Sequence, residues 1–393
     1  MTDDHSESGL LAVGQGHAND VRGIQREIGR LWQDAVAAAT TARQSATRAS
    51  VLNLVVYTGS EQEAERACET IGSLAARHPS RTIVITPSTD SNAPPVEAWV
   101  SLHCHILGTN HRQVCHEQIH IKTSPNTTEH LPGTVQPLLI PDLPVFVWSL
   151  IEPRSSDHLF THLLTLAERV IMDSACFADP GPGLARLSNL VDQEGERTSF
   201  GDVNWRRLTP LRELIAQFFD RLEDRLYLLH IDELDVEARG GENSAQALLL
   251  VGWLAGRLNW NSTPRLVAPF PLAESAPTTN ANPDGRHIRL RRHTTAINVH
   301  IRPSPRGPGD FGAVTSVTLR ATNSGATFEI RPGDDPDTAI ATVELPDSDP
   351  KSRVARLQPP AAAAILSDEL NIFGHDRIYE EALVAIKSWE RTK

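Results

Sequence analysis

No run of apolar residues in this 393-residue chain reaches the roughly 20 that a membrane-spanning helix needs. The opening MTDDHSESGL is polar and acidic, unlike the basic-then-apolar start of a secretory leader, so a cytoplasmic protein is expected. Cysteine is scarce. Cys68, Cys104, Cys115 and Cys176 show no CxxC spacing, which excludes a disulfide scaffold. In a reducing compartment Cys104 and Cys115 are expected to stay thiols. Cys68, on the stripe Ala64, Ala67, Cys68, Ile71, Leu74, reads as a buried one. Neither GxGxxG nor GxxxxGK[ST] occurs, so the dinucleotide and nucleoside-triphosphate fingerprints are missing. GxSxG, HExxH and a supported SxxK are missing too, and nucleophilic catalysis has no footing. Positive charge is in deficit: 37 basic against 49 acidic residues leave −12. That balance repels nucleic acid and anionic lipid at long range, with Arg286 to Arg292 (RHIRLRR) a local exception. There is no internal repeat.

What is present is ordinary for a globular protein, 40 % apolar and 22 % charged. The length exceeds what one core usually serves, so two domains are expected. Residues 17–46 have the helical spacing Val21, Ile24, Ile28, Leu31 with Trp32, and Val36. Val51 to Tyr57, a helix over 62–77 and Arg81 to Thr86 form strand, helix and strand, the pattern of a parallel unit. Strands near 97–107 and 114–122 read as an edge hairpin, and Leu143 to Leu150 and Arg169 to Asp173 as further strands. Thr209 with Pro210 starts one helix, and Ser244 caps another that is apolar nearly all round. Gly252 and Gly256 would let a neighbour approach that helix closely. Five short strands between 286 and 345, with Gly, Pro and Asp turns, suggest an antiparallel sheet, and two helices close the chain over 360–390. The expected fold is therefore α/β: an N-terminal, mainly parallel sheet layered with helices, then an α+β domain with an antiparallel sheet. The boundaries are 1–47 for a tail and amphipathic helix, 48–175 for the α/β domain, and 176–393 for the second domain, with a loop near 262–285.

Three constellations invite a chemical reading. His103, Cys104, His105, His111, Cys115, His116 and His120 cluster on the hairpin. Alternation puts Cys104 and Cys115 on the apolar face and the histidines on the other, with His105 near His116. Those two are candidate metal ligands, against a solvated strand face as the plain alternative. No metal or other cofactor is expected. Thr58-Gly59-Ser60 meets a helix N-terminus, a natural anion site, or simply a glycine turn capped by Ser60. Asp173 closes a buried strand, where an acid can face a crevice or form a turn. A sugar-phosphate or nucleotide enzyme or sensor built near Ser60, Ser155 and Asp173 is thus the alternative function. Trp148 and Trp205 stand as core anchors or interface anchors.

Several rare words recur in one order: Ile28-Gly29-Arg30-Leu31-Trp32, then Arg48 and Asn53-Leu54-Val55-Val56-Tyr57. His78-Pro79-Ser80-Arg81 follows, then Cys115-His116-Glu117-Gln118-Ile119 and Pro141-Asp142-Leu143-Pro144-Val145-Phe146-Val147-Trp148. Val170 to Ser174, Asp202-Val203-Asn204-Trp205-Arg206-Arg207-Leu208, and Leu248 to Trp260 complete the set. In these the chain, over about 20–390, resembles the glucose-6-phosphate dehydrogenase assembly protein OpcA family of cyanobacteria and actinobacteria. The resemblance implies a non-catalytic protein that binds glucose-6-phosphate dehydrogenase, aids its assembly and activates it allosterically. It supports the oxidative pentose phosphate pathway and NADPH supply, with no nucleic acid or membrane as partner. Arg81, Asp142, Trp148, Asn204, Trp205 and Arg206, within those words, are the candidate partner-binding residues. The family often has two tryptophans where this chain has Trp148-Ser149. Without an obvious cysteine pair, the redox control of cyanobacterial members does not carry over.

Overall fold

The computed structural model describes residues 8–13, 20–42, 44–88, 94, 96–107, 112–124, 131–154, 156–262, 285–304, 312–358 and 360–390. In chain order the first elements are β1 (Ser8–Val13), α1 (Val21–Thr41), β2 (Ser45–Arg48), β3 (Leu52–Tyr57), α2 (Glu61–Leu74) and β4 (Ser80–Pro87). Next come β5 (Val96–Leu107), β6 (Arg112–Thr123), α3 (Pro132–Val135), β7 (Val145–Ser149), α4 (His158–Leu166), β8 (Arg169–Met172), α5 (Pro180–Glu194) and β9 (Ser199–Asp202). The helices α6 (Val203–Arg207), α7 (Thr209–Ala216) and α8 (Arg225–Leu228) precede β10 (Glu233–Ala238), α9 (Ala245–Leu258) and β11 (Asn261–Ser262). The remainder is β12 (Arg286–Arg292), β13 (Thr295–Pro303), β14 (Val314–Ala321), β15 (Ala326–Pro332), β16 (Thr338–Leu345), β17 (Ser348–Arg356), α10 (Ala362–Leu370) and α11 (Arg377–Glu390).

The chain divides into two compact units. The first takes residues 1–176, 194–203 and 361–375, and the second takes 177–193, 204–360 and 376–393. Residues 194–203 and 361–375, expected in the second domain from sequence order, thus belong to the first unit. A buried ion pair explains the second of these. Arg169 of β8 and Glu369 of α10, with side chains 0 % and 1 % exposed, pair at 2.5 Å, and Arg169 also donates to the Gly374 carbonyl at 3.0 Å.

The first unit is built on a nine-stranded sheet in the order β1-β5-β6-β4-β3-β7-β8-β9, with β2 also on β6. Strands β6, β4, β3, β7, β8 and β9 run parallel, β2 joins β6 in parallel, and β5 runs the other way, antiparallel to both β1 and β6. The hairpin β5–β6 therefore lies inside the sheet and not at its edge, because β1, β2 and β4 all pair with it. One face packs Leu54, Val56, Phe146, Trp148 and Ile171 against Ala67, Ile71 and Leu74 of α2 and Ile365 and Leu366 of α10. On the opposite face α1 lays its stripe of Ile24, Ile28, Leu31 and Ala35 inward, and Ala35 reaches Leu102, Cys104 and Cys115.

The strand pairing corrects two expectations. His116 lies opposite His103, and His105 lies opposite Val114. The register is shifted by two residues from the one that symmetry about 108–113 assumed. Cys104 also lies directly opposite Cys115, with Cα atoms 4.0 Å apart, and the two form a disulfide instead of the expected thiols. Cys68 is a half-buried thiol, pushed up to about 11 mainly by burial, and Cys176, also in no disulfide, is exposed.

In the second unit an eight-stranded sheet has the order β11-β12-β13-β10-β14-β15-β16-β17. It is antiparallel except where β10 runs parallel to β13. Helix α9 begins at Ser244, whose Oγ accepts from Ala247 N at 3.0 Å, and ends at Asn259 with φ 55°. Its near-continuous apolar surface is buried because α11 lies on the glycine side. A Cβ at Gly252 would stand 2.7 Å from the Ala382 carbonyl oxygen and 2.8 Å from Ile386 Cγ1. The expected loop near 262–285 lies almost wholly outside the described residues.

Candidate functional site

Ligands in open α/β sheets usually sit beyond the carboxyl ends of the strands, where Ser60, Ser155 and Asp173 were expected to act. Ser60 is the N-cap of α2, its Oγ accepting from Glu63 N at 3.2 Å. The Glu63 carboxylate turns back to accept from Gly59 N at 2.7 Å. This variant of the capping box puts the chain's own anion on the helix N-terminus. Asp173 is a turn former: its carboxylate accepts from Ala175 N at 3.2 Å, and its carbonyl from Cys176 N at 3.0 Å. Ser155 lies outside the described residues. Ser60 and Asp173 are thus engaged in a local cap and a turn.

The opposite, amino-terminal ends of β3, β4 and β7 hold a denser cluster. Glu117 of β6 is buried, its side chain 1 % exposed, on the face covered by α1. Its carboxylate accepts from Trp32 Nε1 at 2.6 Å and from Arg81 Nε at 2.9 Å, and pairs with Arg48. Arg81 Nη1 donates to the Leu138 carbonyl at 2.8 Å, and the Arg48 guanidinium stands 5.5 Å from the centre of the Trp32 ring. Asn53, fully buried at the start of β3, pins the adjoining turn. Its Nδ2 donates to the Ile140 carbonyl at 3.0 Å and the Leu143 carbonyl at 3.2 Å, while its Oδ1 accepts from Ile140 N at 2.8 Å. That turn exposes Asp142, whose φ of 63° is left-handed. Trp148, 6 % exposed, lies towards the other end of β7, in the α2-side core.

In the second unit Trp205 is 1 % exposed, and its Nε1 donates to Asp376 Oδ2 at 3.0 Å. Asp376 also caps α11, its Oδ1 accepting from Tyr379 N at 3.1 Å. Asn204, equally buried, accepts from Gln246 Nε2 at 2.9 Å. The Arg212 guanidinium lies 3.5 Å over the Trp205 ring and 6.0 Å from Trp253, and burial pushes it down to about 10. Arg206 is 26 % exposed, with its Nη2 3.7 Å from Asp376. Trp148, Asn204 and Trp205 are therefore internal supports, whereas Asp142 and Arg206 reach the surface. Sequence reasoning passed over Glu117, Arg212 and Asp376. The available signal for Glu117 was an acid at a core position between Cys115 and Ile119, since such a residue is almost never buried unless paired.

Among the described residues the hairpin histidines form no group of three or more possible metal ligands. His103 and His116 stack at 5.4 Å, and His120 stacks on Trp99 at 4.9 Å. Nothing is described of the His105 side chain.

Two family descriptions match the chain in tandem. Residues 71–189 match "Glucose-6-phosphate dehydrogenase subunit N-terminal domain", and residues 198–383 match the corresponding C-terminal domain. The chain belongs to the OpcA glucose-6-phosphate dehydrogenase assembly family. Among similar proteins is the "Putative OxPP cycle protein OpcA" of Synechococcus elongatus, 28 % identical over 329 residues, which cover 80 % of this chain and 68 % of that protein. Proteins of the same description from Synechocystis sp. and Nostoc punctiforme are 35 % and 36 % identical over 188 residues, 48 % of this chain. The matches span only 38 % and 39 % of those two family members. An "oxidoreductase domain protein" from Kribbella flavida, a solved structure, aligns with 87 % of this chain and 91 % of its own at 9 % identity and a TM-score of 0.37. That likeness is too slight to carry an argument. No helix among the described residues is long and apolar enough to cross a membrane.

Proposed function

We propose that this OpcA-family chain is a non-catalytic assembly factor and allosteric activator of glucose-6-phosphate dehydrogenase. It would act in the cytoplasm, in support of the oxidative pentose phosphate pathway and NADPH production. The observation that carries the reading is the tandem match of both parts of the chain to domains named for that dehydrogenase. The engagement of Ser60, Glu63 and Asp173 in caps and turns supports it.

An activator must bind the active or assembled form of its partner more tightly than the inactive one. Asp142 and Arg206 are the proposed contacts. Asn204 and Trp205 lie buried next to Arg206 in the chain, Arg81 orders the strand ends below the Asp142 turn, and Trp148 packs in the core of the same sheet. The test mixes the purified chain with the dehydrogenase of the same cell. Co-elution together with a lower substrate KM or a higher kcat is expected, and Asp142→Lys or Arg206→Glu should weaken both by at least fivefold. A dehydrogenase indifferent to saturating amounts of this chain would reject the reading.

A further inference from the structure

The amino-terminal ends of β3, β4 and β7 border an open recess of about 490 Å³, lined by Arg48, Ser50, Arg81, Ile140, Pro141 and Leu143. The geometry points to a binding site for a phosphate group, supplied either by a small phosphate ester or by free phosphate. The inference stands apart from the dehydrogenase reading and does not rest on it.

The donors are already set in place. Glu117 lies behind the lining and holds both guanidiniums by one carboxylate, Arg81 through Nε at 2.9 Å and Arg48 through Nη2. Arg81 Nη1 is spent on the Leu138 carbonyl. The remaining N–H groups of the two arginines have no partner among the described residues. An oxyanion in the recess would accept from both arginines at once.

Charge and shape narrow the ligand. Among Glu117, Arg48 and Arg81 the balance is one positive charge, and Asp142, in the same turn as Pro141 and Leu143, is exposed. The planar fork of arginine suits phosphate oxygens, which take parallel N–H donors from it. Arg81 is recessed, its side chain 12 % exposed, while Arg48 stands at the mouth with 47 % exposed. A flat protein face does not reach Arg81, but a small anion does. Ile140, Pro141 and Leu143 give an apolar wall beside the donors, and the volume lies within the range of roughly 300–1,000 Å³ typical of small-ligand sites.

The full chain is titrated by calorimetry, at constant ionic strength, with inorganic phosphate, a hexose 6-phosphate and the neutral hexose. Saturable binding of at least one phosphate compound and none of the neutral sugar is expected. Arg48→Gln, which leaves Glu117 paired with Arg81 and Trp32, should keep the wild-type circular dichroism and weaken binding at least tenfold. Tighter binding of the ester assigns the site to a phosphorylated metabolite, and equal binding assigns it to free phosphate. Absence of binding at millimolar ligand overturns the inference, and so does wild-type affinity in a folded Arg48→Gln protein.

Discussion

Trp32 Nε1 donates to Glu117 Oε1 at 2.6 Å, so the helix that opens the chain is fastened to a buried acid in the middle of the sheet. The same acid satisfies Arg81, whose side chain is 12 % exposed. Removing one member of such a group strands the others away from water. Glu117→Ala is therefore expected to cost about 3–5 kcal/mol, the usual penalty for breaking a buried ion pair. Glu117→Gln keeps an acceptor and should cost less. Urea unfolding followed by circular dichroism measures both, with Glu61→Ala as the control. Glu61 is 66 % exposed in its pair with Lys122, and such surface pairs contribute about 0–1 kcal/mol. Equal losses for Glu117→Ala and Glu61→Ala would show that the cluster is not the anchor described.

Cys104 and Cys115 face each other across β5 and β6, and the remaining cysteines, Cys68 and Cys176, are in no disulfide. Alkylation of the unfolded chain without reductant should label the latter two and leave the hairpin pair unlabelled. Labelling after reduction should reach all four. Mass spectrometry of the peptides reads the difference directly, and full labelling without reductant would remove the bond.

How much of this was legible in the sequence depended on whether a residue's neighbours were local. The Ser60 cap, the helix starting after Ser244 and the glycine side of α9 were all visible, because caps and helix faces are set within a few residues. Strand β9 (SFGD) was not, since four residues carry no usable alternation. Strand β17 was missed because it is an exposed edge, SDPKSRVAR, with almost nothing apolar to mark a face. The disulfide was a different kind of miss. Alternation already placed both sulfurs on one face, and an expectation about compartment overrode it. The arginine cluster around Glu117 draws on α1, β2, β4 and β6, and only the long-range pairing of the sheet brings these together.

Gly252 of α9 meets α11 with no room for a methyl group, since the nearest atom to a Cβ there would be a backbone carbonyl oxygen at 2.7 Å. Gly252→Ala should destabilise the chain by about 1–3 kcal/mol through overpacking. Gly29, inside α1, has nothing within 4 Å of an added Cβ. Gly29→Ala should instead stabilise by about 0.5–1 kcal/mol, because alanine is the better helix former. Opposite signs for one chemical change, measured by thermal and urea unfolding, separate close packing from helix propensity. The same sign in both proteins would contradict the α9–α11 contact.

His120 lies in the sheet with its ring stacked on Trp99, 4.9 Å between centroids and 2° between planes. Burial, and to a lesser extent the charge of His103, push it down to about 4. In the unfolded chain it would titrate near 6.5. The folded protein therefore binds fewer protons than the unfolded one between these values, and protonation favours unfolding. The stability this group contributes is complete above about pH 6.5 and is lost as the pH falls from there through about 4. His120→Phe keeps a ring against Trp99 but cannot take a proton. The gap in unfolding free energy between wild type and this variant should shift in favour of the variant as pH drops from about 6.5 to about 5, a window chosen to stay above the ordinary carboxylate range. A gap that stays constant across that window would show that His120 titrates alike in the folded and unfolded chains, and that its burial against Trp99 is not what the geometry describes.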